Sequence, residues 1–194
     1  IEELNKRYNL DKPVPQQYVL YMQNILKGDW GVSLNNGRPI WPDITSRFAV
    51  SAKLGFSAVF IATIIGVILG SIAALMRNRW PDRIIVFFTT LGTAMPSFVL
   101  ATLLLLVICL QLGWIPVFDA DNPNYILPII ALSVYPMAYI TRLTKTSMLD
   151  ALNQDYIRTA KAKGVARSKL IFVHALRNAL IPVVTYLGPE IAYI

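Results

Sequence analysis

The run Leu54-Gly-Phe-Ser-Ala-Val-Phe-Ile-Ala-Thr-Ile-Ile-Gly-Val-Ile-Leu-Gly-Ser-Ile-Ala-Ala-Leu-Met76 carries no charged side chain. A helix that crosses a bilayer needs about 20 apolar residues in succession. This stretch alone therefore places the chain in the membrane class. Two further runs, Ile84–Phe118 and Asn122–Thr141, are equally free of charge. Working outward from them, the chain reads as an all-α polytopic membrane protein. About four transmembrane helices are visible, at about 49–76, 84–111, 125–148 and 175–194. The composition agrees: 55% of the 194 residues are hydrophobic, with a net charge of +7. Cys109 lies inside an apolar run and, as the single cysteine, rules out a disulfide within the chain. The sequence begins at Ile1 rather than Met and stops at Ile194 in mid-run, so the expectation is a fragment lacking elements at both ends.

Residues 1–48 are mixed in charge and rich in Pro and Asn, and read as an extracytoplasmic segment. Pro13-Val-Pro15 opens an amphipathic helix through Lys27, with Val19, Met22, Ile25 and Leu26 on one side. Gly28 ends it. Trp30 and Trp41 suit the headgroup level. The first span contains Gly66-Val-Ile-Leu-Gly70, a spacing that lets two helices approach closely in lipid. In the second span, Pro96 frees a backbone carbonyl that neighbours or water must satisfy. Two readings of Gly92, Pro96 and Ser97 stay open: a wall of a wet path, or a structural kink. Pro128 and Pro136 interrupt the third span, Pro182 and Gly188-Pro189 the last.

Charge sets the orientation. Arg77, Arg79 and Arg83 form one basic loop, and Arg142–Arg177 holds eight basic residues against two acids. Cytoplasmic loops carry the excess of Lys and Arg, so both face the cytoplasm. The loop with Asp119 and Asp121 is then outside, as is the N-terminal segment. Within the inner segment, the loop 149–174, lies Asp155-Tyr-Ile-Arg-Thr-Ala-Lys-Ala-Lys-Gly164. Asn153 or Asp155 can cap a short helix there, and Gly164 suits its left-handed end. Ile157, Ala160 and Gly164 share a face, with Arg158, Lys161 and Lys163 around it. That face is small. A helix lying on lipid needs bulky wedging residues, so a groove in a partner protein is the better receiver. After Gly164, Ser168 is placed as the cap of a second short helix carrying Leu170, Val173 and Leu176 on one side.

The cores of the first three spans hold no ionisable residue. Ion-coupled carriers rely on such groups, so these spans offer nothing to drive uphill movement. There is no GxxxxGK[ST] nucleotide loop. His174 has no ligand companions for a metal site, and no Ser/His/Asp set suggests hydrolysis. Glu190 stands apart: roughly 22 Å along a span starting at 175, it either faces the bundle interior and meets a cationic substrate group or reaches the outer headgroups.

Arg158-Thr-Ala-Lys-Ala-Lys-Gly164, then His174-Ala-Leu-Arg-Asn178 and Leu180-Ile-Pro182, resembles the cytoplasmic EAA loop of ABC-importer membrane subunits. The generic loop reads EAA-xxx-G, nine residues, then I-x-L-P. Aligned on Gly164, Arg158, Thr159 and Ala160 stand for Glu, Ala and Ala, while His174, Leu176 and Arg177 stand for Ile, Leu and Pro. These departures match the variant of peptide permeases. Leu10-Asp-Lys-Pro13, Gln17-Tyr18, Gly28-Asp29, Val50-Ser-Ala-Lys-Leu-Gly55, Pro96-Ser-Phe98 and Arg142-Leu-Thr-Lys-Thr-Ser-Met148 look like the B-type subunit of oligopeptide permeases.

The resemblance implies a multi-pass subunit of the cytoplasmic (inner) membrane with six spans, the first and last of them outside this sequence. It implies a permease domain over 49–194, peptide import, and no catalysis or cofactor in this chain. ATP and Mg would be bound by two cytoplasmic ATPase subunits. A second homologous permease subunit and an extracytoplasmic peptide-binding protein would complete the assembly in the lipid bilayer, without nucleic acid. Coupling to the ATPases would fall to Asp155, Arg158, Thr159, Ala160, Lys161, Lys163, Gly164, Val165, His174 and Arg177. The translocation path would take Gly92, Pro96, Ser97, Pro136 and Glu190. Alternatives are a permease for dipeptide, nickel or glutathione and, in other classes, an ion-coupled carrier using Glu190 or a membrane scaffold.

Overall fold

A computed structural model describes residues 10–33, 35–119 and 123–193. Asp121 of the acidic loop lies outside the described residues. The chain divides into two units, residues 1–51 and 52–194. In the first, α1 (Val14–Leu26) starts after Pro13 and carries Pro15 in its first turn, where a missing N–H costs nothing. Gly28 follows it in the left-handed region at φ 89°. Trp30 stacks on Trp41 with ring centroids 4.9 Å apart.

Helix α2 (Ile40–Leu75) starts in the first unit and continues into the second. Its 36 residues make about 54 Å of helix, well beyond the roughly 30 Å hydrocarbon layer. The charge-free part after Lys53 is the portion suited to cross it. The buried residues of α2 include Ala58, Ala62, Gly66, Gly70 and Ala73. Steps of three and four keep them on one face. That face lies against α5 (Ile126–Leu152): a Cβ on Gly66 would come within 2.8 Å of Ile140 Cγ2, and one on Gly70 within 2.5 Å of the Thr141 carbonyl oxygen. The Gly66–Gly70 spacing thus brings two helices of the same chain together. Helix α5 is the hub, packed also against α3, α4 and α7.

The expected second span is not one helix. Helix α3 (Trp80–Ala94) and helix α4 (Ser97–Leu104), which continues as π-helical turns over Leu105–Gln111, are bent by 104°. The cause is local. A proline ring disfavours the α conformation in the residue before it, and Met95 is extended at ψ 128°. Helix α3 ends there, and the Pro96 carbonyl accepts the first hydrogen bonds of α4, from Val99 and Leu100.

Helix α6 (Asp155–Ala162) follows α5 directly. A short α-helical turn (Arg167–Lys169), π-helical turns (Leu170–Ala175) and α7 (Leu176–Tyr193) then form one continuous run. This differs from the sequence reading in three ways. The final helix begins at 167 rather than 175. Ser168 lies inside the first turn, with Ala166 at the cap position. Helix α7 passes through Pro182 and Pro189 without a break. Among the described residues three helices are long and apolar enough to cross a membrane, or four if α3 and α4 count as one span.

Two ends of the helix assembly in the second unit are defined by polar contacts. At one, the Asp82 carboxylate accepts the Asn78 N–H at 2.9 Å and pairs with Lys145 of α5. At the other, the Lys53 ammonium lies 4.6 Å from the centre of the Tyr125 ring.

Candidate functional site

The basic segment forms a closed knuckle. Gln154 precedes α6 in an extended conformation and occupies the cap position without a side-chain bond. The capping role expected of Asn153 or Asp155 is therefore corrected: Asn153 closes α5, and Asp155 sits in the first turn of α6. The Asp155 carboxylate is an acid at the positive helix end and accepts from Arg158 at 3.3 Å, while its carbonyl accepts from the Thr159 hydroxyl at 3.0 Å. At the other end the Gly164 N–H donates to Lys161 and the Val165 N–H to Ala160. With Gly164 at φ 76°, this is the double-bonded Schellman ending.

The knuckle's orientation corrects the expected docking face. Ile157 is 6% exposed and belongs to a core cluster with Ala74, Met148, Ala151, Leu170 and Ala175. Ala160 and Val165 pack against the same cluster. The small face therefore points into the chain and fixes the knuckle to the ends of α2 and α5 and to the start of the final helical run. Asp155, Tyr156, Arg158, Thr159, Lys161, Lys163 and Gly164 are exposed. Arg158, Lys161 and Arg167 rim a cavity of about 700 Å³ floored by Ala74, Leu152 and Ile157; the sequence reading had not used Arg167. His174 is half-buried within the π-helical turns and Arg177 is exposed on α7.

The break between α3 and α4 opens a cavity of about 720 Å³. Pro96 and Ser97 from the break, Pro136 from α5 and Glu190 from α7 all line it, so four of the five path candidates meet at one place. Irregular backbone at membrane depth is tolerated where it borders protein or a cavity, which accounts for the break lying here. Gly92 is elsewhere: its missing side chain admits Val134 and Ala138 of α5, each 3.2 Å from a Cβ built there. It is a packing residue.

Three tyrosines missing from the sequence reading complete the cavity: Tyr135, Tyr139 and Tyr186. Tyr139 stacks on Tyr186 at 4.4 Å. The Tyr186 hydroxyl is buried without a hydrogen-bond partner of good geometry, although Glu190 is near enough to act on it electrostatically. The signal was present as i, i+4 spacing, Tyr135 with Tyr139 and Tyr186 with Glu190, which puts each pair on one helix face. A second, apolar cavity of about 400 Å³ adjoins and shares Ser97 and Leu132 with the first. Among the described residues no group of His, Cys, Asp and Glu is placed to hold a metal ion.

The family described as "Binding-protein-dependent transport system inner membrane component" matches residues 66–194. The Glutathione transport system permease protein GsiC of Escherichia coli (strain K12) is 40% identical over 195 residues, which cover 100% of this chain and 64% of that protein. The proteins of the same name from Pectobacterium atrosepticum, at 40%, and Shigella flexneri serotype 5b, at 39%, are matched over the same shares. The chain thus spans 64% of the length of these relatives.

Proposed function

This chain belongs to the family of binding-protein-dependent transport system inner membrane components, and from that premise we propose that it is a permease subunit of an ATP-driven importer of small peptides. Glutathione, itself a tripeptide and part of the relatives' names, is the first substrate to test. Oligopeptides, the class suggested by the loop variant, come next.

In this reading α6 is the coupling element. It seats in a groove of a cytoplasmic ATPase, with Tyr156, Thr159 and Lys163 turned outward and Arg158 and Lys161 facing carboxylates of the partner. Two such ATPases bind ATP and Mg, and this chain performs no catalysis. A second permease subunit closes the path, and an extracytoplasmic binding protein loads it. The knuckle and the Arg77–Arg83 loop face the cytoplasm, and residues 1–48 lie outside. The Asp82–Lys145 pair supports the first part, because it joins the two basic segments at one end of the helix assembly.

The observation that carries the reading is the knuckle's construction. Ile157 ties it to three membrane helices while its cations stay exposed. A push on α6 therefore reaches the helices that line the Glu190 cavity, since α5 and α7 belong to both. The test is Gly164→Leu in the full-length transporter. A Cβ at Gly164 meets nothing within 4 Å in this chain, so the first added carbon meets no internal clash. The φ strain alone costs about 1–2 kcal/mol, which leaves the protein folded. ATP-driven uptake is expected to vanish at unchanged membrane abundance. Uptake at the wild-type rate would remove α6 from the coupling role.

A further inference from the structure

We propose that the cavity at the helix break is a binding subsite for the primary ammonium group of the transported substrate, with Glu190 as its counter-charge. The proposal rests on the reading of this cavity as part of a transport path, and it assigns that path a chemical preference.

Four observations meet here. Glu190 is the charged residue among those lining the cavity, and no Lys, Arg or His joins it there. Among the described residues it takes part in no ion pair. It lies about 20 Å beyond Arg177 along α7 at 1.5 Å per residue, a depth at which a carboxylate is costly unless paired or set against a wet interior. Beside it stand the rings of Tyr135, Tyr139 and Tyr186, and the buried Tyr186 hydroxyl lies next to the Glu190 carboxylate without a hydrogen bond of good geometry.

An ammonium group has three donors and no acceptor. This wall answers that pattern. The carboxylate takes one donor and neutralises the charge, the lone pairs of the adjacent Tyr186 oxygen accept a second, and the tyrosine faces attract the cation through their ring quadrupoles. A carboxylate or phosphate ligand would instead meet like charge and no cationic side chain. The cavity is therefore matched to the positive end of a peptide. Every unmodified peptide has such an end whatever its sequence, and a lysine side chain offers the same group.

The experiment uses the full-length transporter complex in nanodiscs, without the binding protein, so that the membrane subunits alone discriminate. Equilibrium binding is measured for trialanine, N-acetyl-trialanine and N-acetyl-Ala-Ala-Lys. Wild type is expected to prefer trialanine over its acetylated form by about tenfold or more, the scale of a desolvated charge-assisted contact. N-acetyl-Ala-Ala-Lys recovers the affinity if any primary ammonium serves and stays weak if only the α-amino group is accepted. Glu190→Gln should erase the preference, Glu190→Asp should keep most of it, and Tyr186→Phe should reduce it.

An unchanged preference in Glu190→Gln overturns the proposal. So does a uniform loss of all three ligands together with a lower melting temperature, which would mark Glu190 as a structural ion-pair partner. ATP-driven uptake by wild type, measured on the same preparation with binding protein added, separates the two levels. No peptide uptake removes the transport reading itself, whereas uptake without an ammonium preference removes this subsite alone.

Discussion

A methyl group on Gly70 would sit 2.5 Å from the Thr141 carbonyl oxygen and 2.6 Å from Thr144 Cβ. One of these is backbone and neither is the end of a flexible chain, so α2 and α5 must separate to admit it. At Gly66 the nearest atoms belong to the Ile140 side chain, at 2.8 and 2.9 Å. Gly70→Ala is therefore expected to destabilise more than Gly66→Ala, within the range of about 1–3 kcal/mol typical of overpacking. Thermal melting in detergent ranks the two, and the reverse order would contradict the packing. The Asp82–Lys145 pair makes a different demand. Asp82 is 5% exposed, and it also holds Asn78, whose φ of 65° is in the left-handed region. Asp82→Asn leaves Lys145 without its counter-charge, and breaking a buried pair from one side costs about 3–5 kcal/mol, less here because Lys145 is partly exposed. The double variant Asp82→Asn/Lys145→Met should recover part of that loss in the same assay. If it falls as far as both single changes summed, the pair is not the source.

At the scale of elements, the charge-free runs announced most of the helices because length and apolarity alone decide what can cross a bilayer. The knuckle was legible too, since Gly164 and the cations around it mark a short helix end. What stayed hidden was direction. The 104° bend accompanies Met95 leaving the α region before Pro96, whereas Pro136, Pro182 and Pro189 lie within continuous helix. A proline's effect is set by neighbouring helices that take up the freed carbonyl, and those are unknown from one sequence. Likewise the small face of α6 satisfied two descriptions equally, a partner's groove or the chain's own core, and only the position of Met148 and Ala74 distinguished them. Pro96→Ala tests the local cause of the bend. It lifts the restriction on Met95, so α3 and α4 are expected to straighten toward one span. Spin labels at Leu91 and Leu103 should then move apart, toward the roughly 18 Å of twelve residues of straight helix, and uptake should fall because the cavity loses its wall. An unchanged distance would mean that α5, rather than the proline, imposes the bend.

The molecule as a whole places its anchor and its cavity on the same two helices. The core cluster under the knuckle draws Met148 and Ala151 from α5 and Ala175 and Ala179 from the final helical run. The cavity draws Tyr135, Tyr139 and Pro136 from α5 and Tyr186 and Glu190 from α7. In the proposed coupling role, a displacement at α6 would be carried along two helices rather than through loops. Ile157 is the joint of this arrangement. Shortening it to Ala removes the side chain that seats α6, at about 2–5 kcal/mol for a buried aliphatic truncation, yet leaves Tyr156, Thr159 and Lys163 free to engage a partner. On the proposed function, the expected outcome of Ile157→Ala is slippage: the ATPases would still dock and hydrolyse ATP, but each cycle would move α5 and α7 less. In proteoliposomes containing the full-length transporter, substrate imported per ATP should drop several-fold while the hydrolysis rate stays near wild type. If import and hydrolysis fall together, Ile157 matters for docking and the lever is elsewhere. If neither changes, the core under the knuckle does not transmit motion, and the path from α6 to the Glu190 cavity must run through some other contact.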